Sequence, residues 1–234
     1  MNLTNKLAIV TGVSKGIGYA TVEALLDKGA IVAGWGRTAP KISHPNFQFY
    51  LTDVQQSESV QDSYDATTND LGKDVAVLIN NAGFGFRGDF DKTPTDTWTS
   101  MFKTNVDGIF YCSRLVIPQM KANDQGHIIN IASIAGTLSV PNMVGYAGSK
   151  HAVRGISHAM YMELREYGIK VTAIYPGSVK TNFFDKVEGI DAHDNMMMPE
   201  DIAGTILHTL ESSDNYHHVD IEVRPLRPKG KQNA

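Results

Sequence analysis

Short apolar runs alternate with longer helical patterns along almost the whole chain. The runs are rich in β-branched residues and are too short for helices, which is typical of buried strands. They occupy residues 7–11, 31–35, 47–51, 75–79, 127–131, 170–174 and 219–223. Strands this uniformly apolar must be buried on both faces of a sheet. The alternation therefore predicts an α/β fold with a doubly wound, seven-stranded parallel sheet and helices on both faces.

About six helical segments fill the intervals between these strands. The clearest patterns cover residues 17–27, 146–165 and, with less sharp ends, 57–69, 95–120 and 199–210. In such a fold, ligands bind outside the carboxyl ends of the strands, near the point where the strand order reverses. Polar and glycine residues that directly follow a strand are therefore the candidate site residues.

Length and charge exclude several classes of protein. The 234 residues carry a formal net charge of −4 and no linker-like composition break, so we expect one domain over 1–234 and no affinity for nucleic acid. The single cysteine, Cys112, cannot form an internal disulfide. No apolar stretch is long enough to span a membrane, and because the first strand begins by Leu7 we expect no signal peptide. We expect a cytoplasmic protein without a bound metal, whose partners are small molecules and copies of itself.

A glycine-rich turn joins the first strand to the first helix. Gly12, Gly16 and Gly18 stand in the spacing Gly-x-x-x-Gly-x-Gly. Glycines here allow a tight turn and a close approach of the backbone to a diphosphate, which the helix N-terminus also favours. A structurally neutral turn explains the same residues, so the motif by itself leaves both interpretations open.

Polar or small residues follow the third, fourth and sixth strands as well. Asp53 could accept a hydrogen bond from an adenine amino group or could cap the next helix. The tetrapeptide 80–83, Asn-Asn-Ala-Gly, could let a cofactor lie against the backbone or could be an ordinary turn, with its asparagines fixing the loop or the central sheet. Pro176 and Gly177 would line a nicotinamide, and Thr181 could bond its carboxamide.

Tyr146 and Lys150 stand at i and i+4, which places the phenol and the ammonium on one face of a helix. A nearby cation favours the tyrosine anion, and a phenol pKa lowered from about 10 toward neutrality would make it a useful acid or base. Ser133 lies at the end of the fifth strand, and its hydroxyl could hydrogen-bond to the same substrate oxygen as Tyr146. Asn105 could tie a water to Lys150 or bond a neighbouring carbonyl. An amphipathic helix with a chance Tyr–Lys pair is the alternative.

Together these motifs resemble the short-chain dehydrogenase/reductase family from Thr11 to Thr181. The resemblance implies a Rossmann-type domain, usually a homotetramer or homodimer, with a catalytic tetrad of Asn105, Ser133, Tyr146 and Lys150. Tyr146 would exchange the proton, Lys150 would lower its pKa and hold the nicotinamide ribose, and Asn105 would anchor a relay water. The implied cofactor-binding residues are Gly12, Ser14, Lys15, Gly16, Ile17, Gly18, Arg37, Asp53, Val54, Asn80, Ala82, Gly83, Tyr146, Lys150, Pro176, Gly177, Val179 and Thr181.

Charge at the end of the second strand favours NADP(H) over NAD(H). Enzymes that use NAD tend to carry an acidic residue there, which repels a 2′-phosphate. This chain has Gly36 followed by Arg37, and Lys15 projects from the glycine turn. Two cations could flank the phosphate, although either could be a solvated surface charge.

The C-terminal sequence is similar to that of NADP-dependent 3-hydroxy acid and serine dehydrogenases, which makes a small hydroxy acid, such as a 3-hydroxy acid, or a related carbonyl compound the expected substrate. Substrate contacts are expected from loops 84–87 and 137–143 and from a lid within 181–199 that includes Phe183 and Phe184, with Arg87 as a candidate for a carboxylate. The expected function is NADP(H)-dependent hydride transfer between the nicotinamide and a carbonyl or secondary alcohol. The alternatives are a non-catalytic NADP-binding regulator, a 3-oxoacyl or other carbonyl reductase, and an epimerase or dehydratase.

Overall fold

Strands and helices alternate along the chain as the sequence predicts. The computed structural model describes residues 1–181 and 193–227. The strands are β1 (Leu7–Thr11), β2 (Ile31–Gly36), β3 (Phe47–Leu51), β4 (Val75–Asn80), β5 (Gly126–Ile131), β6 (Ile169–Pro176) and β7 (Asp220–Val223). The α-helices are α1 (Gly16–Asp27), α2 (Ser57–Leu71), α3 (Thr95–Phe102), α4 (Gly108–Ala122), α5 (Val144–Leu164) and α6 (Pro199–Glu211).

All seven strands are parallel and form one sheet in the order β3-β2-β1-β4-β5-β6-β7. The chain first builds outward from β1 to β3 and then returns to place β4 on the other side of β1. This reversal lies between the carboxyl ends of β1 and β4, where Val10 pairs with Ile79. A ligand crevice is expected at that point.

Two helical layers bury the sheet. Helices α1 and α6 pack on one face through residues such as Leu25 and Ile206, and α2 and α4 pack on the other through residues such as Val60 and Val116. Ile9 and Ile129 in the central strands are fully buried. The predicted doubly wound, seven-stranded α/β fold is confirmed.

The predicted continuous helix over 95–120 is wrong in one respect. A π-helical segment, Lys103–Asp107, separates α3 from α4. Each π turn holds one more residue than an α turn, and such bulges frequently lie at functional sites. The widened turn contains Asn105, which is 1% exposed and directs its amide away from its own helix toward Phe84. Hydrophobic periodicity carries no signal for this bulge, because it depends on a contact between distant parts of the chain.

Glycine and proline set several element boundaries. Helix α2 ends at Gly72 and a 3₁₀ turn before β6 ends at Gly168, both in the left-handed region with φ of 55° and 63°. Helix α6 begins with Pro199, and the Asp201 carboxylate accepts a hydrogen bond from the Met198 N–H at 2.7 Å. Within 1–181 and 193–227, none of the helices combines the length and the apolar character that crossing a membrane would require.

Candidate active site

Glycines shape the loop between β1 and α1. Gly12 and Gly16 have φ of 72° and 63°, a region that side-chain-bearing residues rarely adopt. A Cβ on Gly18 would collide with the Gly12 carbonyl oxygen and with the Asn81 side chain. The loop backbone therefore packs closely against the residues that follow β4, at the reversal point of the sheet.

Asn81 and Thr11 hold this glycine loop in place. Asn81 Nδ2 donates to the carbonyl oxygens of Thr11 at 2.9 Å and Gly12 at 3.1 Å. Thr11 Oγ1 accepts from the backbone N–H groups of Asn81 and Ala82, both at 3.0 Å. Asn81 is absent from the predicted cofactor-binding residues, because the sequence does not tell which of the two adjacent asparagines faces the loop.

Asn80 has a different environment from its neighbour. Its Nδ2 donates to Asn130 Oδ1 at 2.8 Å and to Ser113 Oγ at 3.2 Å, inside the sheet and its helix layer. Both amide protons are therefore used internally, and the contact of Asn80 with a cofactor stays a prediction. Of the two roles considered for these asparagines, Asn80 fixes the central sheet and Asn81 fixes the loop.

Asp53 and Val54 lie in the connection between β3 and α2. Asp53 Oδ1 accepts a hydrogen bond from the Gln55 N–H at 3.1 Å, while the N-cap of α2 is Gln56, so Asp53 is not the helix cap. Val54 is 8% exposed and packs against Gly108, where a Cβ would lie 3.1 Å from the valine Cβ. Their contact with an adenine stays a prediction.

The two predicted phosphate-binding cations lie at the same edge of the sheet. Gly12 N donates to Trp35 O at 2.8 Å, which joins the carboxyl ends of β1 and β2. Lys15 and Arg37, which follow these strands, are both exposed, as is Ser14, while Ile17 packs partly buried on the core. Lys15 is the N-cap of α1 and makes no capping bond with its side chain, so this helix N-terminus suits an anion.

Ser133, Tyr146 and Lys150 converge beyond the carboxyl end of β5. They are 8%, 8% and 5% exposed, and the Ser133 side chain is close enough to the phenol to act on its pKa. Lys150 Nζ lies 5.9 Å from the centroid of the Tyr146 ring and donates to the Ile131 carbonyl at 2.7 Å. Gly83 borders the group, since a Cβ there would lie 3.6 Å from Lys150 Nζ. The i, i+4 spacing thus brings both side chains to one side of α5.

Burial is the main cause of the pKa shifts of Tyr146 and Lys150. It raises the pKa of Tyr146 to about 12, although the Ser133 side chain acts in the lowering direction. It lowers the pKa of Lys150 to about 8. Lys150, whose Nζ donates to Ile131 O, is not among the causes of the Tyr146 shift. The lowering of the phenol pKa by Lys150 stays a prediction for the site with its cofactor. The phenol is protonated at neutral pH and can act as an acid.

Asn105 clamps the chain that follows β4. Its Oδ1 accepts from Phe84 N at 3.1 Å, and its Nδ2 donates to Phe84 O at 3.0 Å and to Ser149 Oγ at 2.9 Å. Ser149 in turn donates to the Tyr146 carbonyl at 2.8 Å. The carbonyl-bonding role considered for Asn105 is confirmed, and its water-anchoring role stays a prediction. Ser149, which directly precedes Lys150, is a further site residue that was not predicted from the sequence.

The segment after β6 lies next to the glycine loop. Gly177 N donates to Val223 O at 2.8 Å, directly after the buried Pro176. The side chain of Val179 is 5% exposed in the core, so only its backbone is available to a cofactor. A Cβ on Gly16 would lie 3.2 Å from Thr181 Cγ2, which places Thr181 at the loop.

The predicted lid falls largely on residues 182–192, including Phe183 and Phe184, which lie outside the described residues. Of its remainder, Met196 is 7% exposed, and Met197 forms a parallel bridge with Val179. Across 1–181 and 193–227, the His, Cys, Asp and Glu side chains form no group of three or more that could hold a metal ion.

Comparison with known proteins agrees with this geometry. The family described as short chain dehydrogenase matches residues 6–189. An uncharacterized oxidoreductase of Staphylococcus saprophyticus is 32% identical over 240 residues, which cover 96% of this chain and 97% of the relative. The chain therefore belongs to the short-chain dehydrogenase family.

Two solved structures share the fold. A 3-ketoacyl-(acyl-carrier-protein) reductase from Brucella melitensis complexed with NADH has a TM-score of 0.89 at 23% identity, over 96% of this chain and 99% of that one. A serine dehydrogenase in its closed form with NADP⁺ has a TM-score of 0.85 at 24% identity, over 93% and 94%. At these identities the likeness establishes the fold and not the substrate.

Proposed function

We propose that the protein is an NADP(H)-dependent oxidoreductase that transfers hydride between the nicotinamide and a carbonyl or secondary alcohol. The observation that carries the proposal is the convergence of buried Ser133, Tyr146 and Lys150 beyond the carboxyl end of β5, with Lys150 Nζ 5.9 Å from the Tyr146 ring centroid. A bound nicotinamide nucleotide would supply or accept the hydride. The site's own residues would bind and orient the substrate oxygen and move its proton.

In the reduction direction, Tyr146 and Ser133 would both contact the substrate carbonyl oxygen. As hydride reaches the carbonyl carbon, the π electron pair moves to the oxygen, and that oxygen takes the phenol proton. The Ser133 hydroxyl would orient the oxygen and stabilise its developing charge. The nearby Lys150 cation would offset the charge left on the phenolate, which burial alone disfavours.

The preference for NADP(H) rests on Lys15 and Arg37. Both are exposed, and each follows one of two adjacent strands whose ends are joined by the Gly12–Trp35 bond. Gly36 stands where an acidic residue would repel a 2′-phosphate. We further propose a single domain and assembly into a homodimer or homotetramer, which the family resemblance supports, and action in the cytoplasm.

One assay separates this function from the alternatives. Purified protein is mixed with NADPH and a panel of carbonyl compounds, and the nicotinamide absorbance is followed together with product formation. Net cofactor oxidation with alcohol formation is the expected result. Tight NADPH binding without turnover would instead indicate a non-catalytic regulator, and product without net cofactor change would indicate an epimerase or dehydratase.

A further inference from the structure

The side chains packed around Tyr146 are apolar on the side that faces loops 84–88 and 137–143. Phe84, Phe86 and Val140, each partly buried, pack against the buried cluster that contains Tyr146 and Met143. We refer to Phe84, Phe86, Val140 and Met143 as the apolar wall. A substrate whose oxygen reaches the phenol would place a neighbouring substituent within reach of these side chains.

Backbone contacts hold the apolar wall at both ends. Asn105 bonds to both the N–H and the C=O of Phe84, at 3.1 and 3.0 Å. At the other end, Gly88 N donates to Asn142 O at 2.8 Å, which ties the two loops together. A Cβ on Gly88 would lie 2.9 Å from Phe86 Cε1, so the phenylalanine ring lies directly on the backbone there. The wall is therefore a fixed surface rather than a set of independent loop side chains.

We propose that the substrate carbonyl carries an apolar aryl or branched alkyl substituent that packs on the apolar wall, and that Phe86 sets this preference. The proposal rests on the proposed hydride-transfer function. Each methylene of apolar contact discriminates between substrates by roughly 10- to 200-fold. A wall of four apolar side chains is thus enough to select an apolar ketone over a small polar one.

A small 3-hydroxy or 3-oxo acid fits this surface less well. Its carboxylate would lie against the wall and would need a cation to offset its lost hydration. Within loops 84–88 and 137–143, Arg87 is the only charged residue. Arg87 already takes part in a non-covalent interaction, with which a substrate carboxylate would compete. The apolar wall therefore favours a different substrate class from the one that the C-terminal sequence suggests.

The test compares acetophenone with acetoacetate at saturating NADPH. We expect kcat/KM for acetophenone to exceed that for acetoacetate by at least about tenfold, and Phe86→Ala to lower this ratio by about tenfold. Phe86→Leu, which keeps an apolar side chain, should lower it less, and it replaces Phe86→Ala if that variant fails to fold. Phe110→Ala is the matched control, because Phe110 is an exposed phenylalanine of α4 and should leave the ratio unchanged.

Two readouts separate failure of this proposal from failure of the proposed function. Reduction of both ketones with acetoacetate preferred, or a ratio unaffected by Phe86→Ala, would overturn the apolar preference and leave hydride transfer intact. Calorimetry on the Tyr146→Phe variant measures acetophenone binding without turnover. A second outcome is that wild type reduces no ketone, while Tyr146→Phe binds acetophenone and the double variant with Phe86→Ala binds it more weakly. This outcome would support the apolar preference and contradict the proposed hydride transfer. Absence of both binding and reduction overturns both.

Discussion

Two buried serines of α5 make nearly the same hydrogen bonds in different surroundings. Ser149 accepts from Asn105 Nδ2 at 2.9 Å and donates to the Tyr146 carbonyl at 2.8 Å. Ser157 accepts from Asn130 Nδ2 at 2.9 Å and donates to the Val153 carbonyl at 2.7 Å. The two serines are 0% and 1% exposed, so burial does not distinguish them.

The difference lies in what each asparagine does with its remaining atoms. Asn105 bonds to the backbone of Phe84, which begins the apolar wall, whereas Asn130 accepts from Asn80 within the sheet. The first pair joins the helix of Tyr146 to the substrate side, and the second joins the same helix to the centre of the fold. We therefore expect the first pair to support catalysis and the second to support stability, because only the first bonds to the loop that begins at Phe84.

The largest expected effect is that of Tyr146→Phe, which removes the proton-carrying oxygen at the Ser149 end of α5. Loss of a general acid lowers kcat by about 10²- to 10⁴-fold. The aromatic ring is kept, so the thermal midpoint should stay close to that of wild type. Steady-state kinetics and a thermal melt check both expectations. Full activity in this variant would contradict the catalytic role of Tyr146 and of the Ser149 end of α5.

Arg37→Glu tests whether the residues that follow β1 and β2 recognise the cofactor. We expect this recognition to be independent of the hydrogen bonds of Ser149 and Ser157. The acidic residue replaces attraction to a 2′-phosphate with repulsion, so the ratio of kcat/KM with NADPH to that with NADH should fall by about 10- to 100-fold. Arg114→Glu makes the same charge change at an exposed position of α4 and should leave the ratio unchanged. Equal ratios in wild type and Arg37→Glu would contradict the assignment of NADP(H).

Ser149→Ala and Ser157→Ala are a matched pair of variants. Each leaves a buried asparagine N–H without its acceptor, which costs about 1–3 kcal/mol in the free energy of unfolding. Only Ser149→Ala should also lower kcat, by about tenfold, because Asn105 then holds the Phe84 backbone less firmly relative to Tyr146. Urea denaturation and steady-state kinetics supply the two numbers. Equal losses of kcat in both variants would contradict a specific role of the Ser149–Asn105 pair in catalysis.

A smaller effect is expected at the opposite end of β5, where His127 is 1% exposed and hydrogen-bonds through Nε2 to Thr172 Oγ1 at 2.9 Å. Burial lowers the pKa of His127 well below its usual value, and burial also lowers the pKa of His217 and His218. Below pH ~6.5 the unfolded chain therefore binds protons that the folded protein excludes.

The His127 contribution to stability is thus complete above pH ~6.5 and is lost as the pH falls toward the folded-state pKa, by up to about 1.4 kcal/mol per pH unit. Denaturation curves at several pH values give the free energy of unfolding as a function of pH. This free energy should change less steeply with pH for His127→Gln than for wild type. The pH profile of kcat/KM should be the same for both proteins, because His127 lies far from the carboxyl edge. A shifted profile would contradict this separation of the two ends.

The sheet follows from local sequence signals. Apolar runs and glycine turns report directly on strands and their ends, so the seven strands and the loop with Gly12 and Gly18 were predictable, whereas the strand order that sets the reversal point was not. Neighbouring side chains of a strand point in opposite directions, and sequence alone does not tell which of Asn80 and Asn81 faces the loop. The bulge at Asn105 depends on its contact with Phe84, far along the chain. The raised pKa of Tyr146 depends on three-dimensional burial, which residue spacing does not report.

Transfer of deuterium from reduced cofactor to product tests the central claim most directly. The protein is incubated with acetophenone and NADPH carrying deuterium at the transferable position of C4, and the alcohol is analysed by mass spectrometry and NMR. We expect one deuterium on the carbinol carbon with wild type and almost none with Tyr146→Phe. Alcohol whose carbinol hydrogen comes from solvent, or equal deuterium transfer by both proteins, would contradict hydride transfer assisted by the Tyr146 phenol.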